Sequence, residues 1–306
     1  MCIRDRCIID TDPGIDDALA ILMALNCTSI EVLGFTTTGG NISLEMANKN
    51  ILSLFDYLGC QHSVYGGSEF PVTGSFPYAT NFHGESGLSK DLPSPTSNIS
   101  SVDAVDFINE ALCSHPGDVI VICLGPLTNL YRLFQQYPDS MANIGSLILM
   151  GGAVGCSGNV TKHAEFNFYC DPIAAAYVLS TGVSITLVDL KACRQVGMSR
   201  TVANAMSSVT KIGQLAIELI VNWFQLDETR SLFEFYDPLA LALAIDSGLA
   251  TYVRSDIEEN TNVSSQYGET ALCSTQGSIN LVDIVDSEKF FYMFADLLDI
   301  KAPSLW

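Results

Sequence analysis

The sequence predicts an α/β fold: one open, mostly parallel sheet with helices on both faces and a site at the carboxyl ends of the strands. Three observations point there. Short apolar runs alternate with amphipathic stretches along most of the 306 residues. The runs Cys7–Asp10, Val32–Thr37, Val119–Leu124, Ser146–Met150 and Ser184–Val188 are nearly continuous, as in strands covered on both faces. Finally, Asp12-Pro13, Gly125-Pro126, Asp171-Pro172 and Asp237-Pro238 each fall at or just before a predicted helix start.

The elements follow in order. Residues 1–6 match no periodic pattern, so the domain is set at 7–306, and 1–6 are taken as a non-native or disordered lead-in. Ile15, Leu19 and Leu22 share one helical face, and so do Val105, Ile108 and Leu112. Strand–helix alternation of this kind gives right-handed crossovers and a Rossmann-like, doubly wound sheet. The Gly-, Pro- and Ser-rich stretch Gly66–Ser101 reads as a long, mobile loop. Further on, a long helix is expected over Val202–Phe224 and another over Pro238–Ile245. Strand-like runs at Ala271–Cys273 and Ile279–Val285 then precede a last helix near Ser287–Leu298. No repeat or linker divides the chain, so one domain is expected. In the three Asp-Pro pairs, Asp is expected at the N-cap and Pro at the first helical position. Loops at the carboxyl ends of parallel strands converge on the ligand, so acids far apart in sequence should meet there.

Composition excludes several classes. With 48% hydrophobic and 16% charged residues the chain is globular, not disordered. A formal charge of −20 argues against nucleic acid or an anionic membrane as partner, because both require a basic footprint. No apolar stretch approaches the ~18 residues of a membrane span. The N-terminus reads as no export signal, so a cytoplasmic location is expected. Ten cysteines form no C-x-x-C pair, so reduced thiols are expected.

The strongest signal is Cys7-Ile-Ile-Asp10-Thr-Asp12-Pro-Gly-Ile-Asp16-Asp17, which sets four carboxylates at one strand-to-helix corner. Like charges that close raise one another's pKa and oppose folding. The positive end of the next helix is worth only ~0.3–1 kcal/mol per interaction. A divalent hard cation with oxygen ligands is the stronger remedy. An ordinary Asp N-cap explains one Asp-Pro-Gly, but not four acids behind an apolar strand. An EF-hand loop counted from Asp10 needs Gly and Glu where Ile15 and Ile21 stand, so it fails. A haloacid-dehalogenase-type phosphatase also opens with D-x-D, which Asp10-Thr-Asp12 satisfies. Those enzymes carry Thr or Val where this chain has Gly14, so that reading is weakened but stays open.

Asp10-Thr-Asp-Pro-Gly-Ile-Asp-Asp17 resembles the signature of the inosine–uridine nucleoside hydrolase family. The likeness continues through Thr36-Thr-Thr-Gly-Gly-Asn41, Phe82-His-Gly-Glu-Ser-Gly87, Leu124-Gly-Pro-Leu-Thr-Asn129 and Leu149-Met-Gly-Gly152. It runs on through Gly158-Asn159, Ala164-Glu-Phe-Asn167, Asp171-Pro172 and Asp237-Pro238, so it covers nearly the whole chain in register. The resemblance implies hydrolysis of a ribonucleoside to ribose and free base, with Ca²⁺ as cofactor. It assigns Asp12, Asp17, Asp237 and the carbonyl of Leu124 to the ion. Asp12 doubles as general base toward a water held at the ion, which attacks the anomeric carbon. Asp16, Asn41 and Asn167 are assigned to the ribose secondary hydroxyls, Asn159 and Glu165 to the 5′-hydroxyl, and Met150 to packing beside the sugar. His83 is assigned to the base side. A homodimer or homotetramer is also implied. Sequons at Asn41 and Asn159 fall inside this site, where a glycan has no room.

One departure matters. Many family members have a histidine just before the late aspartate, thought to protonate the leaving base; here it is Tyr236. With a reference pKa of about 10, a tyrosine is a poorer acid at neutral pH than histidine. Tyr236 is therefore read as a proton donor, as a surface that stacks on the base, or as simple packing. A relative that binds nucleosides without turning them over stands as the non-catalytic alternative.

Overall fold

The computed structural model describes residues 5–301. Ten strands are β1 (Asp5–Thr11), β2 (Ile30–Thr37), β3 (Val64–Gly66), β4 (Val119–Cys123), β5 (Ser146–Met150), β6 (Ile185–Val188), β7 (Gly197–Ser199), β8 (Leu232–Glu234), β9 (Ala250–Glu259) and β10 (Thr270–Val285). The helices through mid-chain are α1 (Ile15–Asn26), α2 (Leu44–Leu58), α3 (Thr80–His83), α4 (Ala104–Ser114), α5 (Thr128–Gln136), α6 (Phe166–Cys170) and α7 (Pro172–Leu179). After them come α8 (Leu190–Cys193), α9 (Arg200–Ala205), α10 (Lys211–Leu226), α11 (Tyr236–Ile245) and α12 (Ser287–Leu297).

Eight strands form the central sheet in the order β3-β2-β1-β4-β5-β6-β10-β9, and β7 pairs with β8 alone. All neighbours in the large sheet are parallel except the β10–β9 pair. Side chains alternate between two apolar layers. Cys7 and Ile9 face the layer of α1, α10, α11 and α12, while Ile8 faces that of α4, α5 and α7. This is the expected doubly wound α/β domain. The chain reverses direction across the sheet between β1 and β4, and ligands of such sheets bind outside the strand ends at that point. Helix α1 follows β1 there, and its residues Ile15 to Ala24 are buried, acids included.

Several expectations need correction. β1 begins at Asp5, where Asp5 and Arg6 pair with Ile30 and Glu31, and Arg6 is ion-paired to Asp118. The first four residues lie outside those described. The helix expected over Val202–Phe224 is two helices. It is broken at Ser207, whose backbone pairs with Lys301, and restarted by Thr210, which caps α10 through the Gly213 N–H. The runs at Ala271–Cys273 and Ile279–Val285 are one irregular strand, β10. Its antiparallel partner β9 carries charged residues on its open face and did not read as a covered strand. Within Gly66–Ser101, one short helix forms, α3.

Of the three Asp-Pro pairs, only Asp171 is an N-cap. It accepts from Ala174 N at 3.1 Å, and its other oxygen accepts from Val72 N at 2.9 Å and Thr128 Oγ1 at 2.7 Å. Gly14 precedes α1, and α11 starts at Tyr236, so Asp12 and Asp237 are freed for another use. Asp171→Ala removes a cap and two tertiary hydrogen bonds, and should cost about 2 kcal/mol. Urea denaturation checks this; an unchanged midpoint and slope would refute it.

Candidate active site

The floor of the site is acidic. β1 ends beside the sheet's switch point and hands the chain to Asp12, and the first turn of α1 carries Asp16 and Asp17. From the far end of the sequence, Asp237 arrives in the first turn of α11. Carboxylate oxygens of Asp16, Asp17 and Asp237 lie within 4.8 Å of one another, and all three residues are buried. The resemblance grouped Asp12 with Asp17 and Asp237; here Asp16 completes the close set and Asp12 stands just outside it.

Asp12 is held by backbone. Its Oδ2 accepts from Asn41 N at 2.6 Å, and its Oδ1 has no partner. A Cβ on Gly40 would fall 2.1 Å from Oδ2, and one on Gly125 would fall 2.5 Å from Oδ1. Glycine at both positions is therefore what lets the loops after β2 and β4 close on this carboxylate. Asp17 is the most restrained of the four. It accepts from Thr11 Oγ1 (2.5 Å), Gly14 N (2.9 Å), Asn41 Nδ2 (3.1 Å) and Asp12 N (3.2 Å).

These acids have no cationic partner of their own. Among the described residues, no Lys or Arg forms an ion pair with any of them. Burial first, then the charge of Asp17, pushes Asp16 up to about 8. Burial and the neighbouring carboxylates also raise Asp12 and Asp237 well above the usual range. His83 Nδ1 lies 3.8 Å from Asp16 Oδ1, but burial, helped by Arg230, holds this histidine down at about 3. It is neutral, and because Nδ1 accepts from Ile15 N at 3.1 Å, its proton sits on Nε2.

A hard cation fits this donor set. The donors are oxygens, with no Cys or His among the grouped residues. Oδ1 of both Asp12 and Asp16 is buried and unpartnered, which is costly without a positive charge to face. Leu124 adds a carbonyl at the end of β4. It accepts from Asn167 Nδ2 at 2.7 Å and has a second lone pair to offer.

Above the floor opens a cavity of about 380 Å³. Its lining includes Asp16, Asn41, His83, Leu124, Met150, Asn159, Glu165, Asn167, Tyr236 and Asp237, while Asp12 and Asp17 lie beneath. Asn159 is exposed at the rim. Asn167 Nδ2 also reaches the Met150 carbonyl, at 3.2 Å. Glu165 caps α6, accepting from Asn167 N (2.9 Å), Phe168 N (3.1 Å) and Gly152 N (3.0 Å), yet burial still pushes it up to about 7. Tyr236 donates its hydroxyl proton to Glu234 Oε2 at 2.6 Å, and burial together with that carboxylate raises its pKa.

Sequence reasoning did not find Tyr78, Asn81, Phe82, Val160 and Phe166, which also line the cavity, nor Glu234 behind Tyr236. Phe82 and Phe166 adjoin residues already singled out, so adjacency was a usable signal for them. Tyr78 had none. Asp10, by contrast, does not line the cavity: its Oδ1 accepts from Thr36 Oγ1 (2.5 Å) and Asn129 Nδ2 (2.7 Å).

Known proteins resemble this chain closely. The family model described as inosine-uridine preferring nucleoside hydrolase matches residues 7–292. A uridine nucleosidase of Arabidopsis thaliana is 33% identical over 265 residues, covering 84% of this chain and 79% of its own. A non-specific ribonucleoside hydrolase of Salmonella paratyphi A is 32% identical over 80% of each chain. Among solved structures, a purine-preferring ribonucleoside hydrolase from Gardnerella vaginalis superposes with a TM-score of 0.89. It is 27% identical, and the match covers 96% of this chain and 98% of that one.

The acidic floor makes stability depend on pH. Carboxyls with raised pKa bind more protons in the folded, cation-free protein than in the unfolded chain, so stability falls as pH rises. The fall starts near the ordinary 3.8 and runs to about 8, where Asp16 loses its proton. In chelator, the melting temperature should drop between pH 5 and pH 8, and millimolar Ca²⁺ should remove most of the drop. A flat profile in chelator would show that these acids are not charged against one another.

Proposed function

The chain belongs to the inosine-uridine preferring nucleoside hydrolase family, and from that premise we propose that it is calcium-dependent, with Asp12 as general base. The family supplies the coarser activity, hydrolysis of the N-glycosidic bond of a ribonucleoside to ribose and free base. The finer reading is carried by one observation: an oxygen-only acidic floor, unpaired with any Lys or Arg among the described residues, beside a nucleoside-sized cavity.

Asp12, Asp17, Asp237 and the Leu124 carbonyl would hold the ion. Bound there, Ca²⁺ would polarise the attacking water and anchor two ribose hydroxyls. Asp12 accepts the proton from that water at Oδ1, its free oxygen, while Asn41 N fixes the other. Its raised pKa brings it nearer neutrality, where a general base works best. Asp16 and Asn167 take the secondary hydroxyls with Asn41 alongside, and Asn159 and Glu165 take the 5′-hydroxyl. Met150 packs beside the sugar. As the glycosidic bond lengthens, positive charge grows on the sugar, and the surrounding carboxylates stabilise it.

On the base side, Tyr236 is a poor proton donor, because its proton is already given to Glu234. Tyr236 instead forms an aromatic wall with Phe82 and Tyr78. His83 keeps a proton on Nε2 and lines the base side of the cavity, where it is placed to hydrogen-bond the bound base. The phosphatase reading loses its basis: Asp10 is tied into the structural network of Thr36 and Asn129, and among the described residues no Lys or Arg lines the cavity.

A nucleoside panel assayed for released reducing sugar, with and without chelator, tests this proposal. Chelator should abolish turnover, and turnover unaffected by it would sink the calcium dependence. Asp12→Ala should lower kcat by about 100-fold or more; retention of activity would remove its role as base. Tyr236→Phe should keep kcat within about threefold on every nucleoside. A collapse of kcat confined to nucleosides with poor leaving groups would restore tyrosine as the acid.

A further inference from the structure

The wall of the cavity that carries Asn81, Phe82 and His83 is the short helix α3, set in a long irregular segment. Four residues cannot hold a helix by their own hydrogen bonds. At either end the backbone takes a left-handed conformation, at Tyr78 (φ 42°) and Gly84 (φ 83°). Tyr78 has no glycine to ease that conformation, so something outside the segment must hold the wall in place.

One tie is Ala79 N, which donates to Asn41 O at 2.8 Å; the tie at the other side of the helix is Arg230. The half-buried guanidinium gives Nη1 to Trp223 O (2.8 Å) and Phe82 O (3.2 Å), and Nη2 to Asn81 O (2.9 Å). It also lies over the rings of Trp223, 4.4 Å from the centroid, and Phe82, at 5.4 Å. Trp223 belongs to α10, so one side chain fastens α3 to the end of a long packed helix. The base of this fastening is itself braced. Arg200 Nη2 donates to the carbonyls of Asp227 (3.1 Å), Glu228 (3.1 Å) and Arg230 (2.9 Å). Nor does the chain of contacts end at α3. The His83 ring packs so tightly on Gly14 that a Cβ there would lie 2.6 Å from it, and His83 Nδ1 accepts from Ile15 N. The next residue is Asp16.

The geometry points to Arg230 as a positioning residue for nucleoside binding. It lines no part of the cavity, but it holds Phe82 and His83 against the base side and keeps His83 in register with the α1 turn that carries Asp16. This inference rests on the nucleoside-site reading above. An ordered wall that meets the substrate equally in the ground and transition states contributes to KM and not to kcat.

The experiment compares wild type, Arg230→Ala and Arg230→Lys in steady-state hydrolysis and in amide hydrogen exchange. Arg230→Ala should raise KM about 10-fold or more with kcat changed by less than about threefold. Added millimolar guanidinium should bring KM back down, where equal NaCl does not. Arg230→Lys keeps the charge but not the fork, so its KM should fall between the two. Without substrate, the amides of Phe82, His83 and Gly84, bonded to Ala79 and Thr80 carbonyls, should exchange at least about 10-fold faster in Arg230→Ala. Sheet amides should not change. A lowered melting temperature with unchanged KM, or unchanged exchange across these three amides, would overturn the assignment. If wild type splits no nucleoside, the hydrolase reading fails by itself, and the exchange data still decide whether Arg230 holds the wall.

Discussion

Four aspartates are buried against one another at the point where the sheet reverses direction, and among the described residues no Lys or Arg pairs with them. The surrounding architecture answers this constraint. Backbone and side-chain donors from Gly14, Thr11 and Asn41 converge on Asp17, and Asn41 N fixes one oxygen of Asp12. A second, purely structural network lies behind the first. Asn129 binds Asp10 and the Thr37 carbonyl while accepting from Ser68, which ties β1, β2 and α5 together beneath the floor. The polar donors serve to orient the carboxylates. Neutralising them is left to something bound, so occupancy of the site and integrity of the sheet centre are thermodynamically linked.

The floor was legible in the sequence because its physics is local. Four acids behind an apolar run announce an electrostatic problem, and Asp237 beside a helix-opening proline was a sensible guess for a distant contributor. What failed was the assumption that an Asp before Pro caps the next helix. That holds for Asp171, which has only N–H and hydroxyl donors to satisfy, but not for Asp12 and Asp237, which are recruited into the cluster. Nor could the sequence tell that Asp16, not Asp12, sits in the closest oxygen group, since this depends on where the first turn of α1 begins. Among the strands, parallel ones covered on both faces read clearly. β9 was invisible because it lies at an edge and alternates with charge.

The walls were legible only where a motif ran through them. His83 and Glu165 came with their motifs, whereas Tyr78, Val160 and the Glu234 carboxylate behind Tyr236 depend on how irregular segments fold back. Arg230 belongs to the same class. Nothing about one arginine in an exposed turn suggests that it will find three carbonyls and two rings. Loops are positioned by such long-range bonds to rigid elements, and a single sequence carries little record of them.

The glycines that crowd Asp12 have an evolutionary corollary. At residues 40 and 125 any other amino acid would push a carbon into the carboxylate, so mutation can explore nothing there without dismantling the centre. Divergence toward new bases is channelled away from the sheet and into the rim, where Tyr78 and Val160 are exposed and can vary in size. Descendants of such a protein would inherit an unchanging reaction and a readily rewritten palate.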